Sequence, residues 1–106
     1  KYSGLVLDSD EGDQIAEKLS NNKALILQNH GLLTVGRYVE SAAWWFITME
    51  RTCQAQLLAE SVNASKVKIN DAAARKAFDI IGNEEAGWFS FQPLLQKITK
   101  NFPELK

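Results

Sequence analysis

The sequence holds one histidine, His30, and one cysteine, Cys53, and each scarcity limits the available chemistry. A single cysteine forms no intrachain disulfide, so a cytoplasmic location is expected rather than a secreted one. A single histidine cannot build a zinc site alone, because a catalytic site uses about three protein ligands plus an open position. No apolar run approaches the roughly 18 residues of a membrane span, and no signal peptide is visible. Positive charge is not in excess either: 12 Lys+Arg stand against 13 Asp+Glu, for a formal net charge of -1. Nucleic-acid binding is therefore not expected. The basic residues near the end (Lys97, Lys100, Lys106) are interrupted by Glu104 and read as a solvated helix face. No internal repeat, low-complexity tract or linker divides the chain.

What is present is ordinary globular composition. The 106 residues are 45% hydrophobic and 24% charged, which suits one domain with a modest core. Leu5-Val6-Leu7 reads as a short strand. Asp8 and Glu11 have the spacing of a helix cap and its third residue, and Ile15, Ala16 and Leu19 follow at helical spacing. Ser20-Asn21-Asn22 should stop that helix, since Asn tolerates a left-handed backbone. Ala24-Leu25-Ile26-Leu27 is continuously apolar, which implies a strand covered on both faces. Asn29-His30-Gly31 breaks it, and Leu32-Leu33-Thr34-Val35 forms a second strand ended by Gly36. So close a junction implies an antiparallel pair or a sharp bend.

From Glu40 to about Glu60 no Pro or Gly occurs, which predicts a long helix. Its apolar stripe is Ala42, Phe46, Met49, Cys53 and Leu57. Trp44, Trp45 and Phe46 are consecutive and cannot share one face, so the helix should pack on more than one side. A sheet could cover one side, and another subunit or a missing segment the other. Asn70-Asp71 can cap a further helix that runs to Ile81 and stops at Gly82-Asn83. Gly87-Trp88-Phe89-Ser90-Phe91 reads as aromatic and irregular, and Leu94, Leu95 and Ile98 as a last helix that cannot pass Pro103. Two clear strands and a few helices make only part of a layered fold.

His30 is the main candidate for chemistry. It ends a strand beside Gly31, and strand ends are where α/β proteins place their sites. Spacing alone favours a histidine bonded within its own turn over a metal ligand. Cys53 reads as core. Asp8, Asp10, Glu11 and Glu40 sit where carboxylates favour helix starts. No nucleophile elbow or phosphate-binding loop is present, so no catalytic residue is assigned.

The run from Ala24 to Gly36, with Asn29-His30-Gly31 between two apolar strands, resembles the C-terminal half of class II aldolase/adducin domains. The helix that follows, with Glu40-Ser41-Ala42-Ala43-Trp44-Trp45-Phe46, and the upstream Gly4-Leu5-Val6-Leu7 strand also fit. The resemblance covers residues 2 to 60 well and the tail loosely. It implies an α/β fold, part of a three-layer α/β/α sandwich around a mixed, mainly antiparallel sheet. It also implies that residues 1–106 form the C-terminal portion of a single domain whose N-terminal portion is absent. In the family's enzymes the histidine of the Asn-His-Gly stretch binds a divalent metal, typically zinc, and that role carries to His30 alone. The family's His-x-His pair, its catalytic carboxylate and its phosphate loop have no counterpart here. Tyr38 stands where many members have a Ser or Thr helix cap.

Two readings of function follow. In the first, the parent is a metal-dependent lyase, or a related decarboxylase or epimerase, acting on a small hydroxy-carbonyl substrate. This chain would then be inactive alone. In the second, it is a non-catalytic, adducin-like interaction or oligomerisation module. A self-sufficient small domain is disfavoured, because it would leave apolar surface exposed. A homo-oligomer is expected, with the 87–91 stretch able to lie near a neighbour's site.

Overall fold

The structure, a computed structural model, describes residues 9–105. The expected 5–7 strand and the Asp8 cap lie outside the described residues. The described chain runs α1 (Ser9–Leu19), β1 (Ala24–Leu27), β2 (Gly31–Thr34), α2 (Val39–Ser61), α3 (Asp71–Ile81) and α4 (Glu84–Asn101), closing with a 3-10 turn at Pro103–Leu105.

Helix α1 stops where expected, but through a different residue. Ser20, not an asparagine, takes the left-handed conformation at φ 48°, and its N–H reaches the Ala16 carbonyl at 2.9 Å. β1 and β2 form an antiparallel hairpin in the register Ala24↔Thr34, Leu25↔Leu33, Ile26↔Leu32, Leu27↔Gly31. The hairpin base is closed by the Val35 N–H, which donates to the Lys23 carbonyl at 2.9 Å. The two strands are not covered on both faces by the described residues: Ile26 remains 63% exposed. The fold is α/β, with this two-stranded antiparallel sheet and four helices among the described residues.

Helix α2 is the central element and packs against both strands and α4. The Thr34 hydroxyl donates to the Ala42 carbonyl at 2.9 Å, tying the end of β2 to the first turn of α2. The buried residues of α2 are Ser41 and Trp45, one helical turn apart, rather than the expected stripe, whose Leu57 is 72% exposed. The reason is that α4 meets α2 on a face that hydrophobicity alone does not mark. The consecutive rings diverge as helical geometry demands: Trp45 is buried, Trp44 half-buried and Phe46 exposed.

Helix α3 begins as expected, with Asn70 Oδ1 accepting from the Ala73 N–H at 2.8 Å. The 87–91 stretch, expected to be irregular, is helical. Asn83 caps α4 by accepting from the Ala86 N–H at 2.8 Å, so it begins a helix as well as following one. Its amide also donates to the Asp79 and Ile80 carbonyls at 3.2 Å each, closing the end of α3. Pro93 lies inside α4 and withdraws one backbone donor. The carbonyl that loses this donor belongs to Phe89, on an exposed turn where water can replace it. Gly87 is buried in this helix because α4 crosses α2 there: a Cβ at residue 87 would lie 2.5 Å from Cζ2 of Trp45.

Candidate functional site

Two places in the chain could carry function, at opposite ends of the hairpin. The first is its tip. Asn29 adopts the left-handed conformation at φ 56°, which asparagine tolerates better than most residues. Gly31 follows at φ 157°, a value that residues with side chains rarely adopt. The His30 N–H donates to the Leu27 carbonyl at 3.2 Å. These constraints hold His30 at an exposed turn. Among the described residues, no three His, Cys, Asp or Glu side chains lie together as a metal site requires. Cys53 is half-buried on α2 and joins no such group. The described residues therefore do not fit a complete metal centre by themselves.

The second place is the hairpin base, about 13 Å of strand away from His30. Tyr38 is the N-cap of α2, at φ -125° and ψ 155°, and its side chain caps nothing. Two other polar side chains gather at this helix start. Ser41 Oγ accepts from the Tyr38 N–H at 3.3 Å. Glu84, from the first turn of α4, then reaches across. Its Oε2 accepts from the Ser41 hydroxyl at 2.6 Å and from the Arg37 N–H at 3.0 Å. The Tyr38 carbonyl lies 2.9 Å from the same hydroxyl. That hydroxyl has one proton, and the shorter, charged contact with Glu84 takes it. Ser41 is fully buried, so this bond satisfies a group that water cannot reach.

The Ser41 hydroxyl holds the Glu84 carboxyl below its ordinary range; partial burial pushes the other way, while the Arg37 N–H, the Lys23 charge and the Trp45 indole add to the lowering. Lys23 Nζ sits 5.6 Å from the Trp45 ring centre and 5.1 Å from that of Phe78. Trp45 Nε1 is buried without a hydrogen-bond partner, so its effect on Glu84 is that of a nearby dipole rather than a formed bond. Beside the cluster lies an open depression of about 450 Å³ lined by Arg37, Tyr38, Glu84, Glu85 and Trp88.

Sequence reasoning singled out His30 but not Glu84 or Ser41. Their separation of 43 positions hides the pair. The available signal was Tyr38, a poor cap at the helix start where the pair meets.

Residues 3–57 match the family model described as Class II Aldolase and Adducin N-terminal domain, and the chain belongs to that family. It is 40% identical over 104 residues to the 4-hydroxy-3-prenylphenylpyruvate oxygenase/4-hydroxy-3-prenylbenzoate synthase of Streptomyces roseochromogenus subsp. oscitans, covering 98% of this chain and 37% of that protein. It is 39% identical over 104 residues to the decarboxylase NovR of Streptomyces niveus, covering 98% of this chain and 38% of that one. Among solved structures it is similar to L-fuculose 1-phosphate aldolase from Glaciozyma antarctica PI12. The TM-score there is 0.82 and the identity 43%, over 92% of this chain and 39% of that chain. The chain thus spans about two fifths of the length of these relatives. Among the described residues no helix is long and apolar enough to cross a membrane.

Proposed function

We propose that residues 1–106 are the C-terminal portion of one class II aldolase-type domain. In this reading the complete domain is a metal-dependent carbon–carbon lyase, or a related decarboxylase or epimerase, acting on a small hydroxy-carbonyl or oxo-acid substrate. His30 is the ligand that this portion brings to a divalent metal, zinc by family precedent, and the remaining ligands come from outside these residues. The segment alone has no catalytic activity. The working form is a cytoplasmic homo-oligomer. The observation that carries the reading is the Asn29-His30-Gly31 turn, whose backbone conformations and strand register hold an exposed imidazole at a fixed strand end. Similarity to an aldolase and to a decarboxylase supports the reaction class.

A second reading, an adducin-like interaction module, is supported by 37% identity over 57 residues to the alpha-adducin of Rattus norvegicus. Activity separates the two. In the complete natural protein, the first reading expects cleavage of a sugar-phosphate ketol or decarboxylation of an aryl oxo-acid, and loss of that turnover in His30→Ala. Turnover retained by the variant defeats the first reading.

A further inference from the structure

We propose that Glu84 is a positioning residue: from α4, its carboxylate fixes the base of the hairpin whose tip presents His30. This inference gives the proposed function a means of site positioning, and for His30 it rests on that reading.

The contacts form a continuous path. Glu84 Oε2 accepts from the Arg37 N–H at 3.0 Å and from the Ser41 hydroxyl at 2.6 Å. One residue before Arg37, Gly36 passes so close to α2 that a Cβ there would meet Ser41 Oγ and come within 2.7 Å of the Ala42 nitrogen. Before Gly36, the Val35 N–H donates to the Lys23 carbonyl at 2.9 Å, and the Thr34 hydroxyl donates to the Ala42 carbonyl at 2.9 Å. Each residue from Thr34 to Arg37 is therefore fixed to α2, to the start of β1, or to Glu84.

This path matters because register is an all-or-none property of a hairpin. A slip of one residue turns every side chain to the other face. The tip fixes register through the Asn29 and Gly31 conformations, and the base fixes it through the path above. Without Glu84, the buried Ser41 hydroxyl keeps only the Tyr38 carbonyl as an acceptor, and the Arg37 N–H loses its partner. The N-terminus of α2 also loses a negative charge, which leaves Glu40 as the acid of its first turn. The charged and titratable groups facing Glu84 are Lys23 before β1, Arg37 and Tyr38 at the start of α2, and Glu85 on its own helix.

The test is amide hydrogen exchange on the complete natural protein, comparing wild type with Glu84→Ala, Glu84→Gln and Ser41→Ala. Glutamine keeps an acceptor oxygen for both donors. The proposal expects residues 31–37 to exchange at least about tenfold faster in Glu84→Ala, which removes two hydrogen bonds to a charged acceptor. Glu84→Gln, which keeps the acceptor but not the charge, should fall clearly between Glu84→Ala and wild type. Ser41→Ala, which leaves the Arg37 contact in place, should show a smaller rise at the same residues, and it serves if Glu84→Ala does not fold. Unchanged exchange at 31–37, or an equal rise across all elements in both Glu84 variants, overturns the proposal. This readout involves no metal. The functional reading fails separately, if His30→Ala keeps its turnover.

Discussion

Gly87 lies against the indole of Trp45 so closely that a Cβ on residue 87 would stand 2.5 Å from Cζ2 and 3.0 Å from Cε2. Trp45 is the one buried hydrophobic residue among those described, so this contact is the centre of the α2–α4 packing. The ring cannot retreat easily, because Lys23 lies over it and the start of α2 is bonded to Glu84 beside it.

Gly87→Ala should therefore destabilise the fold, although alanine favours a helix by about 1 kcal/mol over glycine. Overpacking against a fixed ring costs about 1–3 kcal/mol and outweighs that gain. Urea denaturation should show a lower midpoint with an unchanged slope. A midpoint at or above wild type would mean that the two helices are free to separate.

Asn83 bonds to two helices at once: its oxygen caps α4, and its amide closes the carbonyls of α3. Asn83→Ala removes all three bonds. The expected loss is about 1–2 kcal/mol, the upper end for an N-cap. Asn70→Ala removes a single capping bond and should cost less. Thermal melts of the two variants, compared side by side, check the order.

The Glu84 carboxyl is held below its ordinary value in the folded chain, chiefly by the Ser41 hydroxyl. A group whose folded value is depressed stabilises the fold fully above its unfolded value. That contribution is lost as pH falls through the folded value. Stability should thus hold from neutral pH down to the ordinary carboxylate range and then decline. Glu84→Gln should be less stable than wild type at pH 7 and should show a shallower acid decline. Parallel acid profiles for the two proteins would show that the Ser41 bond does not depend on charge.

Large apolar side chains remain open to solvent on several elements, among them Leu57 and Leu58 on α2, Ile80 and Ile81 on α3 and Phe89 on α4. Surface of this kind seeks a partner. The isolated chain of 11.9 kDa should self-associate or aggregate in light scattering. A clean monomer at that mass would show that these side chains are tolerated in water.

The hairpin and helix α2 were legible because strong local signals defined them. An unbroken apolar run, Asn29-His30-Gly31 and a long stretch without Gly or Pro leave few alternatives. Helix α3 was legible through its Asn70 cap. The start of α4 was not. By sequence Gly82-Asn83 reads as the end of α3 and Gly87 to Phe91 as irregular chain, although Asn83-Glu84-Glu85-Ala86 has the pattern of a capped, acidic first turn. The buried face of α2 was missed for a related reason. It is centred on Ser41, a polar residue whose burial makes sense only once Glu84 arrives from a distant part of the chain. His30 was visible through its neighbours in sequence, whereas Glu84 and Ser41 act through a contact that no local pattern encodes.

The central claim is that His30 holds a divalent metal in the complete protein. The most direct measurement is zinc stoichiometry by equilibrium dialysis, wild type against His30→Ala, with folding checked by circular dichroism. The account expects about one zinc per chain in wild type and a loss of affinity in the variant of at least about tenfold, with the fold intact. Equal zinc binding by the two proteins, or none by either, would contradict it and leave the adducin-like module as the better description.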